Sequence, residues 1–198
     1  MIQFKNTSSE EPYLIFQDWY QEAVNAGQLR VQAIAISSYN SDTELVDSRF
    51  VNLKYIDNDR WVFFSNYNGP KAQAFESNQS ISALFYWSAT DAQIRMRAHI
   101  EKIPAEESDA YFANREPEKN ALAIASHQSE EIESYEEVVK NYQAALESGD
   151  TSKRPEYWGG FQFTPYYIEF WSGDRYRLNK RQVFTKKQGA WKSKFLQP

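Results

Sequence analysis

The chain has 198 residues, 41% hydrophobic and 16% aromatic, which suits one domain with a sizeable core and excludes a disordered chain. Its net charge of −5 argues against a general nucleic-acid binder, and no apolar run approaches the roughly 20 residues that cross a bilayer. With no cysteine there is no disulfide, no thiolate catalysis and no Cys-based zinc site.

The first residues, MIQFKNTSSEEP, lack the apolar stretch of a signal peptide, so a cytoplasmic protein is expected. Pro12 opens a helix that runs to about Ala26, since proline suits a first helical turn and Gly27 suits the stop. Residues 31–37 are apolar on both faces, as in a buried strand. Strands are expected at 48–55 and 61–66, joined by the turn Asp57-Asn58-Asp59, and then a short helix over 69–78. Residues 80–87 and 93–103 are strand-like, with a loop at 88–91. In the second of these, Gln93, Arg95, Arg97 and His99 alternate with Ile94, Met96, Ala98 and Ile100.

Composition then shifts. Acidic residues follow Pro104 and suit a helix N-terminus over 104–115. Ile132, Tyr135, Val139, Tyr142 and Leu146 stand at helical spacing within 130–148, the pattern of an amphipathic packing helix. A polar connector covers 149–155. Strands return at 161–163, 167–171, 176–181, 183–186 and 191–195, and Gly159-Gly160 reads as a tight turn. Within 171–181, a strand, a Gly-Asp turn and a second strand put Arg175, Arg177, Asn179 and Arg181 on one face. Three guanidiniums collected there point to an anion. The order is helix, five strands, a helical insertion at about 104–148, and further strands. It predicts a mainly β, α+β fold over residues 1–198: an antiparallel barrel decorated by helices.

Several common machines are absent. There is no GxGxxG, no Walker loop and no GxSxG. His99 and His127 offer no metal spacing, so no metal site is expected. Any phosphate must be held by Arg and Lys side chains, with Arg49, Lys54 and Lys71 as candidates. Lys71 falls in the first turn of a helix, where a cation opposes the macrodipole unless an anion lies nearby. Arg49 and Lys54, five apart, face opposite ways on a regular strand, so both reach one ligand only through a bulge, a strong twist or contacts along its length.

An ordered set of motifs runs through most of the chain: RFVNLK at 49–54, FFSN at 63–66, PKA at 70–72, Gln93, YFANR at 111–115, ASHQS at 125–129, WGGF at 158–161, IEFW at 168–171 and RLNKR at 177–181. With these, the sequence resembles the pyridoxamine 5′-phosphate oxidase family. The resemblance implies a homodimeric split β-barrel with FMN at the subunit interface. It also implies oxidation of pyridoxamine or pyridoxine 5′-phosphate to pyridoxal 5′-phosphate, with O2 reduced to hydrogen peroxide. Matching positions imply FMN contacts at Arg49, Phe50, Val51, Asn52, Leu53, Lys54, Phe64, Ser65, Lys71, Gln93, Gln128, Ser129, Trp171 and Arg181. The implied positions for a phosphorylated substrate are Lys54, Tyr111, Arg115, Lys119, Arg177 and Asn179, with Arg177 and Asn179 nearest the chemistry. Arg49 and Lys71 supply charge for the FMN phosphate, and Gln93 can pair with the flavin's mixed donor and acceptor edge. Tyr111 and Arg115, four apart, share a helix face. The chain departs from the family's usual residues at Pro70, Ala92, Lys119 and Asn179, which stand for Arg, Arg, Ser and His. These departures keep two alternatives open: an FMN oxidase of another substrate, as in phenazine biosynthesis, or a non-catalytic flavin or pyridoxal-phosphate binder.

Overall fold

Alternating apolar residues build one curled sheet around an aromatic core. The computed structural model describes residues 1–148 and 150–198; Gly149, the first residue of the expected connector, lies outside the described residues. Among the described residues the sheet has ten strands: β1 (Gln3–Lys5), β2 (Ala33–Asn40), β3 (Leu45–Asn52), β4 (Tyr55–Asp57), β5 (Arg60–Asn66), β6 (Ser80–Trp87), β7 (Ala92–Lys102), β8 (Trp158–Ser172), β9 (Lys180–Lys187) and β10 (Ala190–Leu196). The path runs β1-β4-β5-β8-β7-β6-β2-β3, with β9 on β8 and β10 on β9. All pairs but one are antiparallel; the exception is β1 on β4. The described residues also form five helices: α1 (Glu11–Asn25), α2 (Pro70–Ser77), α3 (Ala105–Ala113), α4 (Pro117–Ala125) and α5 (Tyr135–Glu147).

Strand β8 organises the fold. One edge pairs with β7 along its length; the other pairs first with β5 and then with β9. The sheet therefore splits along β8, and β3 curls round against β5. The expected break between 163 and 167 is absorbed as a register shift opposite Arg97 and Ala98, with Pro165 buried inside the strand. Gly159-Gly160 is not a turn but part of β8. A Cβ on Gly159 would meet the Tyr67 ring, and one on Gly160 the Ile103 side chain. Glycine is required there by close approach.

Helix α1 plugs the core with Tyr13, Phe16, Tyr20 and Ala23. Phe16 meets Trp61 edge-on at 4.5 Å, and Trp61, Phe63, Phe85, Phe161 and Phe163 are fully buried around it. Most of the aromatic content is thus spent on packing.

Four further sequence expectations change. The strand expected at 48–55 ends at Asn52, and the chain crosses to β4. The helix expected to reach 115 stops at Ala113, so Arg115 does not share a helix face with Tyr111; a separate helix, α4, follows it. The helix within 130–148 forms as α5, capped by Ser134, yet none of its described residues is buried. Finally, 173–179 is a loop rather than a turn and strand, with Arg177 at φ 65. Arg175, Arg177, Asn179 and Arg181 therefore do not share a strand face. The Asp174 carboxylate dictates this instead. Its Oδ1 accepts from the Tyr176 and Leu178 amides at 2.8 and 3.1 Å, which curls the chain.

Candidate active site

The break after β3 makes a site possible. The Leu53 amide donates to Gln32 O, whereas the Lys54 amide donates to Val62 O. The chain switches neighbours between these residues, which re-aims Lys54; Arg49 itself is not among the cavity's lining residues, though it is close enough to act on Lys71. Lys54 enters a cavity of about 790 Å³ bounded by β3, β5, α2, α3 and the segments after α3 and α4. That volume suits a cofactor-sized ligand.

Rings form one wall. Phe64 and Tyr111 lie parallel with centroids 3.7 Å apart, and Trp158 lies nearly parallel to Phe64 at 5.3 Å. The Arg115 guanidinium sits 4.5 Å above Trp158. Lys5, Lys54, Lys71, Arg115 and Lys119 bring cations to the lining, against Glu107 and Glu116. Both acids are occupied: Glu107 accepts from Tyr55 and Arg60, and Glu116 pairs with Lys119.

Lys71 is buried, and its Nζ donates to Ser65 Oγ at 2.8 Å and to Gln128 Oε1. Both partners are neutral. Burial, and then the nearby Arg49, pull its pKa down to about 8. Arg49 is held by Ser38 Oγ at 2.9 Å and by Asp47 at 3.4 Å. Lys54 is also depressed, by burial and then by Arg115 and Lys119. Arg115 Nη1 is buried without a partner among the described residues. A buried ammonium between neutral acceptors and an unmatched guanidinium N–H are both completed by an anion. The residues present therefore fit a ligand with phosphate groups and a flat ring.

Of the expected site residues, Phe50, Val51, Asn52, Lys54, Phe64, Ser65, Lys71, Tyr111, Arg115, Lys119 and Gln128 come together here. The Leu53 side chain does not; it is in the core. Ser129 follows Gln128 at φ 73, outside the lining. Gln93, Trp171 and Arg181 form a second group, side by side across β7, β8 and β9. Arg177 and Asn179 lie in the adjoining 173–179 loop, where Asn179 Oδ1 accepts from the Asp174 amide at 3.1 Å. The second group is on the same sheet face as Phe50. The register runs Phe50, Ala35, Leu84, Arg95, Glu169, and Gln93 and Trp171 are two residues along from the last two. At strand spacing, Arg95 is about 14 Å and Glu169 about 19 Å from Phe50 along the sheet. Sequence reasoning did not single out Trp158, Tyr55, Glu107 or Lys5 as site residues. Trp158 stood in the WGGF motif; Lys5 arrives on a three-residue strand with no pattern to read.

Residues 21–148 match the family model described as Pyridoxamine 5'-phosphate oxidase. Residues 158–198 match the Pyridoxine 5'-phosphate oxidase C-terminal dimerisation region. A pyridoxine/pyridoxamine 5'-phosphate oxidase from Leptospira biflexa is 35% identical over 196 residues, covering 98% of this chain and 92% of that protein. Its counterpart from Rubrobacter xylanophilus is 36% identical over 191 residues, covering 95% and 87%. Among solved structures, PhzG from Burkholderia lata, in complex with tetrahydrophenazine-1-carboxylic acid, superposes with a TM-score of 0.90 at 26% identity, covering 96% and 93%. A pyridoxamine 5'-phosphate oxidase-related, FMN binding protein from Nostoc punctiforme shares the fold, with a TM-score of 0.77 at 13% identity over 96% and 99%. With both halves matched and near-complete coverage, the chain belongs to the pyridoxamine 5'-phosphate oxidase family.

Proposed function

We propose that the chain is an FMN-dependent oxidase of pyridoxamine or pyridoxine 5′-phosphate, working as a homodimer with the flavin at the subunit interface. The observation that carries this is the cation-rich cavity in which Lys71 and Arg115 Nη1 lack an anionic partner. FMN, when bound, supplies hydride acceptance from the carbon that becomes the aldehyde, and its reoxidation by O2 gives hydrogen peroxide. Lys71 and Arg49 hold the FMN phosphate, while Ser65 and Gln128 fix the Lys71 ammonium. Lys54, Arg115 and Lys119 are grouped closely enough to depress Lys54, and they take the substrate phosphate with Tyr111. The ring wall keeps the flat substrate aligned and excludes water. Gln93, Trp171, Arg181 and Arg177 act on the partner's cavity. No protein nucleophile is needed. The dimerisation-region match supports a homodimer.

A second reading keeps the flavin and changes the substrate. Asn179 and Lys119 favour it, since a substrate-contacting His and Ser are absent, and the Burkholderia lata structure holds tetrahydrophenazine-1-carboxylic acid. An absorbance spectrum of the purified protein, followed by anaerobic addition of pyridoxamine 5′-phosphate, separates the readings. Flavin bleaching on addition supports the first. A flavin spectrum without bleaching favours the second, and a protein that never acquires flavin rejects both.

A further inference from the structure

Glu169 is the most enclosed carboxylate on the outer sheet face, at 2% exposure, although Glu is rarely buried unless paired. Three hydrogen bonds and a further ion-pair contact fill its two oxygens. Arg181 places Nε and Nη2 on Oε1 at 2.8 and 2.7 Å. Oε2 accepts from the Tyr167 hydroxyl at 2.7 Å and from Arg95 Nη2. Burial pushes the carboxyl pKa up, but the bonds from Tyr167, Arg95 and Arg181 outweigh it and hold the group below its ordinary value. On the far side, Arg181 Nη1 donates to the Gln197 carbonyl at 3.1 Å. Two of the five guanidinium N–H groups are thus hydrogen-bonded, Nη2 is held at ion-pair distance, and the remaining N–H groups on Nη1 and Nη2 are left for a ligand.

We propose that Glu169 is a positioning residue: it clamps Arg181 so that its remaining N–H groups face the flavin of the partner's cavity. The proposal rests on the reading of Arg181 as a flavin contact. Arginine carries several freely rotating bonds, so an unclamped guanidinium samples many orientations, and pre-ordering it removes that cost from binding. The paired carboxylate also leaves Arg95 and Arg181 with one net positive charge between them, enough to attract an anionic or electron-rich ligand edge without leaving both cations uncompensated.

The test is a double-mutant cycle on FMN affinity, read by quenching of flavin fluorescence, with Glu169→Gln, Arg181→Ala and the double variant. Glu169→Gln keeps the side chain's size but turns one acceptor into a donor that faces guanidinium donors. We expect Glu169→Gln to weaken FMN roughly tenfold or more, Arg181→Ala to do the same, and the double variant to lose no more than Arg181→Ala alone. Tyr167→Phe deletes one bond to Glu169 without touching Arg181. It should lower the melting temperature of the apo-protein while leaving FMN affinity unchanged, which separates positioning from general stability. Additive losses in the cycle, or a neutral Glu169→Gln beside a damaging Arg181→Ala, overturn the positioning role alone. A neutral Arg181→Ala removes Arg181 from the flavin site, and the proposal falls with that assignment.

Discussion

At the scale of single residues, Lys71 decides how the cavity responds to pH. Its pKa of about 8 in the ligand-free protein reflects burial and the repulsion of Arg49, against an ordinary lysine value of 10.5. A bound phosphate restores the charged form, so FMN affinity should be level below pH 8 and fall above it as the proton must be supplied on binding. Titrations across pH 6.5–9.5 check this, and a Lys71→Met variant should lack that fall. The stability of the ligand-free protein should move the other way. Between about 8 and 10.5 the unfolded chain keeps a proton that folded Lys71 has released, so this residue's contribution rises with pH over that window. Lys71→Met should also cost about 1.5–3 kcal/mol of FMN binding, one to two orders of magnitude in affinity. The position of this lysine was legible in the sequence because a cation in a first helical turn is unfavourable without an anion. Its two neutral partners were not, since Gln128 lies 57 positions away and arrives through a loop.

At the scale of elements, strands were read well where one face was apolar and poorly where packing or a side chain overrode the local pattern. Strand β6 was legible because its inward residues Ile81, Ala83, Phe85 and Trp87 alternate cleanly. Strand β8 was read as two pieces because Pro165 cannot donate to a ladder; only the register shift against β7 keeps it continuous. Gly160 belongs to the same strand, and Gly160→Ala should destabilise by about 1–3 kcal/mol because Ile103 already fills the space, which denaturant unfolding would detect. The 173–179 loop was misread because alternation took precedence over the turn chemistry of Asp174. In this loop Asn179 is already engaged, accepting from the Asp174 amide. Asn179→Ala removes that acceptor, whereas Asn179→His can keep it through Nδ1 in the same branch position. Amide exchange at Tyr176 and Leu178 should quicken in Asp174→Ala and in Asn179→Ala, and stay slow in Asn179→His. Unchanged exchange in Asp174→Ala would show that the carboxylate does not hold the loop.

At the scale of the whole molecule, the sheet register sets the two groups of site residues apart on one face. Phe50 lines the cavity, and Gln93, Trp171 and Arg181 stand three, four and five strand spacings from it on the same face, about 14, 19 and 24 Å along the curled sheet. In the proposed homodimer, a second copy packing the same sheet face against this one about a twofold axis would bring its second group to this cavity and receive the reciprocal contact. Phe50, 74% exposed, and Tyr86, 58% exposed, stand on that face and are the kind of aromatic surface such an interface buries. Motif order made the residues of both groups legible in the sequence; only the sheet register reveals their separation. If the flavin is held by both protomers, its binding and subunit association are one linked equilibrium. FMN should then shift diluted ligand-free protein from monomer to dimer in sedimentation velocity, and apparent FMN affinity should weaken as protein concentration falls through the dissociation range. Arg181→Ala should reduce the FMN-driven shift while leaving the ligand-free monomer–dimer balance nearly unchanged. A monomer that retains FMN at one equivalent per chain would show that the cavity group suffices alone, and the second group would then need another role.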